Sequence, residues 1–151
     1  MNLRAPVPVS SFVMDDGLPV AFAFVDAAWL LDHEEIVPPE VASLAIRIEK
    51  EGLVLQPVVA DGATGTILDG HHRVAALRRL GCRRIPAYLV PYEHGSIAVA
   101  SWRAEPPPSK ADVVSRARER RPFPPKTTRH ERLRRLPQRP TPISELRAEA
   151  A

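Results

Sequence analysis

At 151 residues and 44% hydrophobic content, the chain holds enough apolar material for one small folded domain and too much for wholesale disorder. No apolar run approaches the roughly 20 residues of a membrane helix, and the N-terminus lacks the basic-then-apolar order of a signal peptide. A cytoplasmic protein with no membrane partner is therefore expected, and the single cysteine, Cys82, excludes an internal disulfide or a thiolate metal cluster. The net charge of +3 conceals an asymmetry: residues 1–100 carry 8 Lys/Arg against 12 Asp/Glu, whereas residues 101–151 carry 13 against 6.

Residues 1 to about 22 read as a loose arm with some strand potential. Phe22 to Trp29 is rich in strand formers and leads into Leu30-Leu31-Asp32-His33-Glu34-Glu35. After Pro38-Pro39, Val41, Leu44, Ala45 and Ile48 recur at helical spacing and Gly52 supplies a stop, which predicts an amphipathic helix. Gln56 to Ala60, Asp61 to Gly65 and Thr66 to Leu68 read as strand, turn and strand. Val74, Ala75, Leu77 and Leu80 give the next helix its buried side, Gly81 ends it, and Ile85 to Val90 is a further strand. Prolines crowd at 106–108, 122–125 and 137–142, where they prevent long regular elements. Between them, Ser109 with Asp112 reads as a capping box opening a helix through about Arg118, with Val113, Val114 and Ala117 as its packing face. The fold class is α/β (α+β), with a domain over 1–100 and a basic, proline-rich extension over 101–151.

The chemistry concentrates at "LDGHHRVAALRRLG", residues 68–81. Asp69 falls at a strand end, Gly70 permits a tight turn, and His71, His72 and Arg73 occupy the first helical turn. Unpaired N–H groups and the positive dipole end gather anions there, and a carboxylate beside bound phosphates suits a magnesium ion. A plain N-cap role for Asp69, with surface histidines, is the alternative. Zinc is not expected: adjacent helical histidines diverge by about 100° and no Cys/His partner set is evident. Thr127, Thr128, Arg129 and His130, after Lys126, offer hydroxyls, a donor fork and an imidazole suited to a carboxylate or phosphate, though a polar loop after a proline stop reads the same way. Cys82 reads as a small buried residue without chemistry.

The span from Asp32 to Tyr92, with "LDHEEIVPPEVASLAIRIEKEGLVLQPVVAD" and "ILDGHHRVAALRRLGCRRIPAYLV", resembles the ParB/sulfiredoxin superfamily fold. Sulfiredoxins carry a nucleophilic cysteine where this chain has His71. Chromosome-partitioning ParB proteins carry Gly-Glu-Arg-Arg at this place, bind CTP and continue into DNA-binding and dimerisation regions, whereas residues 101–151 here are short and proline-broken. The Asp-Gly-His-His-Arg form is similar to that of the free serine kinases, which phosphorylate free L-serine to O-phospho-L-serine using ADP or ATP with magnesium. "HEE" at 33–35 and "FPPKTTRH" at 123–130 resemble two further stretches of those kinases, and the whole resemblance covers roughly residues 20–130.

The resemblance implies roles residue by residue. Glu34 would be the general base, with Glu35 the alternative one position on. Asp69 would hold magnesium and act in catalysis, and Gly70, His71, His72 and Arg73 would bind the ATP or ADP phosphates. Trp102, Lys126, Thr127, Thr128, Arg129 and His130 would bind L-serine or a similar small amino alcohol. The kinases carry more residues between the tryptophan and the closing segment than the 24 that separate Trp102 from Thr127 here. Two other classes stay open, a ParB-like nucleotide- and DNA-binding regulator and a nucleotide-sensing adaptor, though DNA is not the expected partner. The oligomeric state, a dimer included, is left open.

Overall fold

The computed structural model describes residues 6–147, so the ends of the predicted arm and extension lie outside the described residues. A five-stranded mixed sheet forms the centre, in the order β1 (Ser10–Val13), β2 (Pro19–Asp26), β6 (Arg84–Val90), β4 (Val58–Asp61) and β5 (Ile67–Asp69). β6 runs antiparallel to β2 and parallel to β4, while the outer pairs β1–β2 and β4–β5 are antiparallel. The arm is thus more ordered than its sequence suggested. Asp16 and Gly17 turn the chain, with Gly17 at φ +87 and Asp16 Oδ1 accepting from the Leu18 N–H at 3.2 Å, so that β1 folds onto β2.

Both faces of the sheet are buried over β2, β6, β4 and β5, and the residues of these strands alternate between two cores. On one side Ala23, Val25, Val58, Ala60, Ile67, Ile85 and Ala87 pack with helices α1 (Pro38–Glu51) and α2 (His71–Arg79). On the other, Val20, Phe22, Val59, Leu68, Tyr88 and Val90 meet Ile97, Val113, Leu133 and Leu136. Side chains between Ile97 and Leu136 therefore cover the second face of the sheet. Leu133 and Leu146 are fully buried, and burying a side chain of this size contributes about 1.5–3 kcal/mol.

The helix boundaries follow the sequence signals. α1 begins with Pro38-Pro39 in its first positions and ends at Gly52 (φ 73), whose N–H donates to the Ile48 carbonyl. α3 (Lys110–Arg118) carries the predicted capping box: Ser109 accepts from the Asp112 N–H at 3.0 Å and Asp112 accepts from the Ser109 N–H. Three short elements have no periodic signal. β3 (Leu53–Val54) pairs with β7 (Thr141–Pro142), and α4 (Ile143–Arg147) returns Ile143 and Leu146 to the first core. Cys82 is buried, as its small apolar reading predicts, and burial pushes its thiol pKa up. Among the described residues no helix is long and apolar enough to cross a membrane.

Candidate functional site

β5 ends at Asp69, and Gly70, at φ 102, turns the chain directly into α2. A Cβ on Gly70 would stand 2.8 Å from Arg73 Nη1 and 2.9 Å from Val58 Cγ1, a core side chain. Gly70→Ala should therefore cost about 1–3 kcal/mol, read as a lower urea midpoint; an unchanged midpoint would show that the turn relaxes freely. Gly70 is the N-cap of α2 and no side chain caps it. The carboxylate of Asp69 is thus not spent on the helix, and the first-turn N–H groups stay uncapped.

These groups open onto a cleft of about 420 Å³. Glu34, Asp69, Arg73, Trp102, Thr128 and Arg129 all line it. Burial raises the pKa of Asp69, with Arg73 and Arg134 opposing. Arg73 also donates to the Pro57 carbonyl at 3.2 Å, which anchors the guanidinium beside the turn. Among the described residues no group of three or more His, Cys, Asp or Glu side chains forms a metal cage. Asp69 would instead hold a cation together with a ligand's own oxygens, the usual arrangement for magnesium.

The closing segment reaches the cleft because its prolines keep it extended. Phe123 N–H donates to the His33 carbonyl and Glu35 N–H to the Phe123 carbonyl, both at 2.8 Å, laying residues 122–128 along residues 33–35. The Glu34 carboxylate is gripped there. Its Oε2 accepts from the Lys126 N–H at 3.0 Å, and its Oε1 accepts from the Thr128 N–H at 2.9 Å and the Thr128 hydroxyl at 3.0 Å. Lys126 makes this turn at φ 63, a left-handed conformation unusual for a non-glycine residue, and its ammonium lies 3.7 Å from Glu40. Glu35 is exposed and does not line the cleft.

The remaining anticipated residues divide. Trp102 stands half-exposed at the mouth, with the guanidinium of Arg129 4.7 Å and that of Arg134 5.2 Å from its ring centroid. Arg129 is held by backbone hydrogen bonds to Ala100 in both directions. His130 lies on the buried floor, its Nε2 2.8 Å from the Tyr92 hydroxyl. Thr127 does not line the cleft; its hydroxyl donates to the Pro124 carbonyl at 2.6 Å. His71 and His72 turn toward the chain that carries Glu34: His71 Nε2 accepts from the His33 N–H at 3.2 Å and His72 Nε2 from the Val37 N–H at 3.0 Å. The cleft also recruits Glu40, Arg47 and Arg134, which the sequence does not single out, and Leu44, which it marks only as an apolar helix position. Leu44, Arg47 and Arg73 line an adjoining hollow of about 350 Å³ as well, so the two spaces meet along one wall.

Three buried histidines stand at the cleft, His71 and His130 in its lining and His33 behind it. Burial, with His130 adding repulsion, holds the His33 pKa down to about 3; burial holds His130 down to about 4 and His71 well below its ordinary value. The unfolded chain binds these protons near pH 6.5. The stability they confer is therefore complete above that pH and is lost as pH falls toward 4 and 3, at about 1.4 kcal/mol per pH unit for each histidine. Asp69 works the other way, its cost fading as pH falls. Urea midpoints should thus be lower at pH 5.0 than at pH 7.5; equal midpoints would mean that these rings are solvated.

No protein-family model matches the chain. An ATP-dependent L-serine kinase of Staphylothermus marinus is 35% identical over 82 residues, covering 52% of this chain and 32% of that protein. The ADP-dependent L-serine kinase SerK of Thermococcus kodakarensis is 28% identical over 87 residues, covering 55% of this chain and 36% of that protein. The matched segments span about a third of these curated relatives. Among solved structures, a free serine kinase in complex with AMP superposes with a TM-score of 0.73 at 16% identity, covering 83% of this chain and 93% of that one. The chain shares that fold.

Proposed function

We propose that this chain is a phosphotransferase that moves the terminal phosphoryl group of ATP or ADP to the hydroxyl of free L-serine, or of a similar small amino alcohol, giving O-phospho-L-serine. The observation that carries the reading is the meeting in one cleft of three parts distant in sequence: Glu34, the Asp69–Arg73 turn and the Thr128–His130 segment. The relatives' names, one an ATP-dependent and one an ADP-dependent serine kinase, support it.

In this reading the uncapped N–H groups of α2 and the Arg73 guanidinium hold the nucleotide phosphates, and the adjoining hollow along Leu44 and Arg47 takes the nucleoside. Glu34 removes the alcohol proton as the new oxygen–phosphorus bond forms and the bond to the nucleotide's bridging oxygen breaks. Arg129 and Trp102 close on the amino acid at the mouth, with His130 beneath. Asp69 is the residue that would hold magnesium; the ion would neutralise charge on the transferred group.

Several basic side chains beyond residue 100 are paired within the molecule, which favours a role at the cleft over one on a nucleic-acid backbone. Arg132 pairs with Asp16 at 2.7 Å, Arg147 with Glu49, and Arg139 lies 3.8 Å over the Phe22 ring. Phosphorus NMR of the protein with magnesium, L-serine and either ATP or ADP tests the proposal. A serine-dependent phosphomonoester resonance is expected. Its absence with both donors, and with threonine and other amino alcohols, would overturn the kinase reading in favour of nucleotide binding without transfer.

A further inference from the structure

His33 is fully buried, and no step above uses its side chain. Its Nε2 lies 2.8 Å from Thr128 Oγ1, and that hydroxyl lies 3.0 Å from Glu34 Oε1. A hydroxyl has one proton to give. When Thr128 donates it to Glu34, His33 must present Nε2–H; when Thr128 donates it to His33, Glu34 loses a donor. The other ring nitrogen does not force the second arrangement, because Nδ1 is buried with no hydrogen-bond partner among the described residues to hold a proton there. His71 is fixed in the opposite sense: its Nε2 accepts from the His33 N–H, so its proton sits on Nδ1.

Counting donors on Glu34 gives the consequence. Oε1 accepts both the N–H and the hydroxyl of Thr128, while among the described residues Oε2 accepts only the Lys126 N–H. Three of about four lone-pair sites on the carboxylate are filled, and the free one is on Oε2. Around the network stand the rings of His71 and His130, 4.5 and 6.2 Å from that of His33, with Lys126, Glu40 and His72 along the cleft wall.

We propose that His33, as its Nε2–H tautomer, is a positioning residue for Glu34: through the Thr128 hydroxyl it locks Oε1 and leaves one lone pair of Oε2 to take the substrate proton. The proposal rests on the reading of Glu34 as the base, and its test separates the two. Nitrogen-15 correlation NMR of the unliganded protein, assigned with H33Q, reads the tautomers directly, with Nε2–H expected at His33 and Nδ1–H at His71. An Nδ1–H proton on His33 overturns the proposal whether or not the protein is a kinase, and if no transfer is seen with any alcohol the tautomer alone decides. Where transfer is seen, T128V and H33L should each lower kcat about tenfold to a hundredfold while the nucleotide KM holds. T128S and H33Q should restore most of the rate, and the T128V/H33L double variant should be no slower than the worse single one. Additive losses, or wild-type kcat in T128V, overturn it. Should H33L fail to fold, T128V and T128S decide.

Discussion

Glu34→Gln should lower the transfer rate by at least about a hundredfold, the usual loss when a positioned general base is removed, while ADP binding measured by calorimetry stays intact. The carboxylate is held by Lys126 and Thr128 rather than by the Asp69–Arg73 turn, so removing its charge leaves the phosphate subsite untouched. The glutamine carbonyl can still accept from the Thr128 N–H and hydroxyl. Its amide would face the Lys126 N–H, donor against donor, at a cost of about 1–3 kcal/mol if that group is left unpaired. Stability should therefore fall modestly as turnover collapses. Glu35→Gln is the contrast: its side chain is exposed and away from the cleft, and the variant should keep full turnover. The reverse pattern would move the base assignment to Glu35.

The parts of the fold that the sequence announces are those with a local chemical cause. Gly52 at φ 73, Gly70 at φ 102 and the Ser109–Asp112 box mark element ends by conformations or hydrogen bonds that few other residues supply. The parts it conceals depend on partners far along the chain. β1 reads as a loose arm because its residues gain order only by pairing with β2, and Pro8 before β1 and Pro19 at the start of β2 weaken the strand signal. β7 and α4 are two and five residues long, too short for any period, and are held by β3 and the first core.

The candidate site divides in the same way. The Asp-Gly-His-His-Arg turn is legible because backbone geometry and donor placement are both encoded within five residues. Arg134 is not, since it sits in a run of arginines of which the fold selects one to cover Trp102. Thr127 and Thr128 are adjacent and chemically identical, yet only Thr128 faces Glu34; the turn at Lys126 makes that choice. His71 and His72 drew attention as phosphate donors, whereas the fold points their Nε2 atoms at the backbone of residues 33–37. His33 could have been found only by asking why a histidine precedes the candidate base.

Asp69→Asn should abolish transfer and, without ligands, leave the protein as stable as before or more so. The two effects share one cause. A carboxylate at the mouth of α2 is costly to bury, and Arg73 and Arg134 only partly offset that cost, which is why its pKa is raised. Asparagine keeps the shape and removes the charge, so the thermal midpoint at pH 7.5 should hold or rise. A residue retained at such a cost is one whose charge is needed when the site is filled. The direct reading is nucleotide affinity by equilibrium dialysis with and without magnesium. In the wild type magnesium should tighten ADP binding; in Asp69→Asn the two affinities should coincide. Tightening by magnesium that survives the substitution would place the cation elsewhere in the cleft, whose wall also carries Glu34 and Glu40.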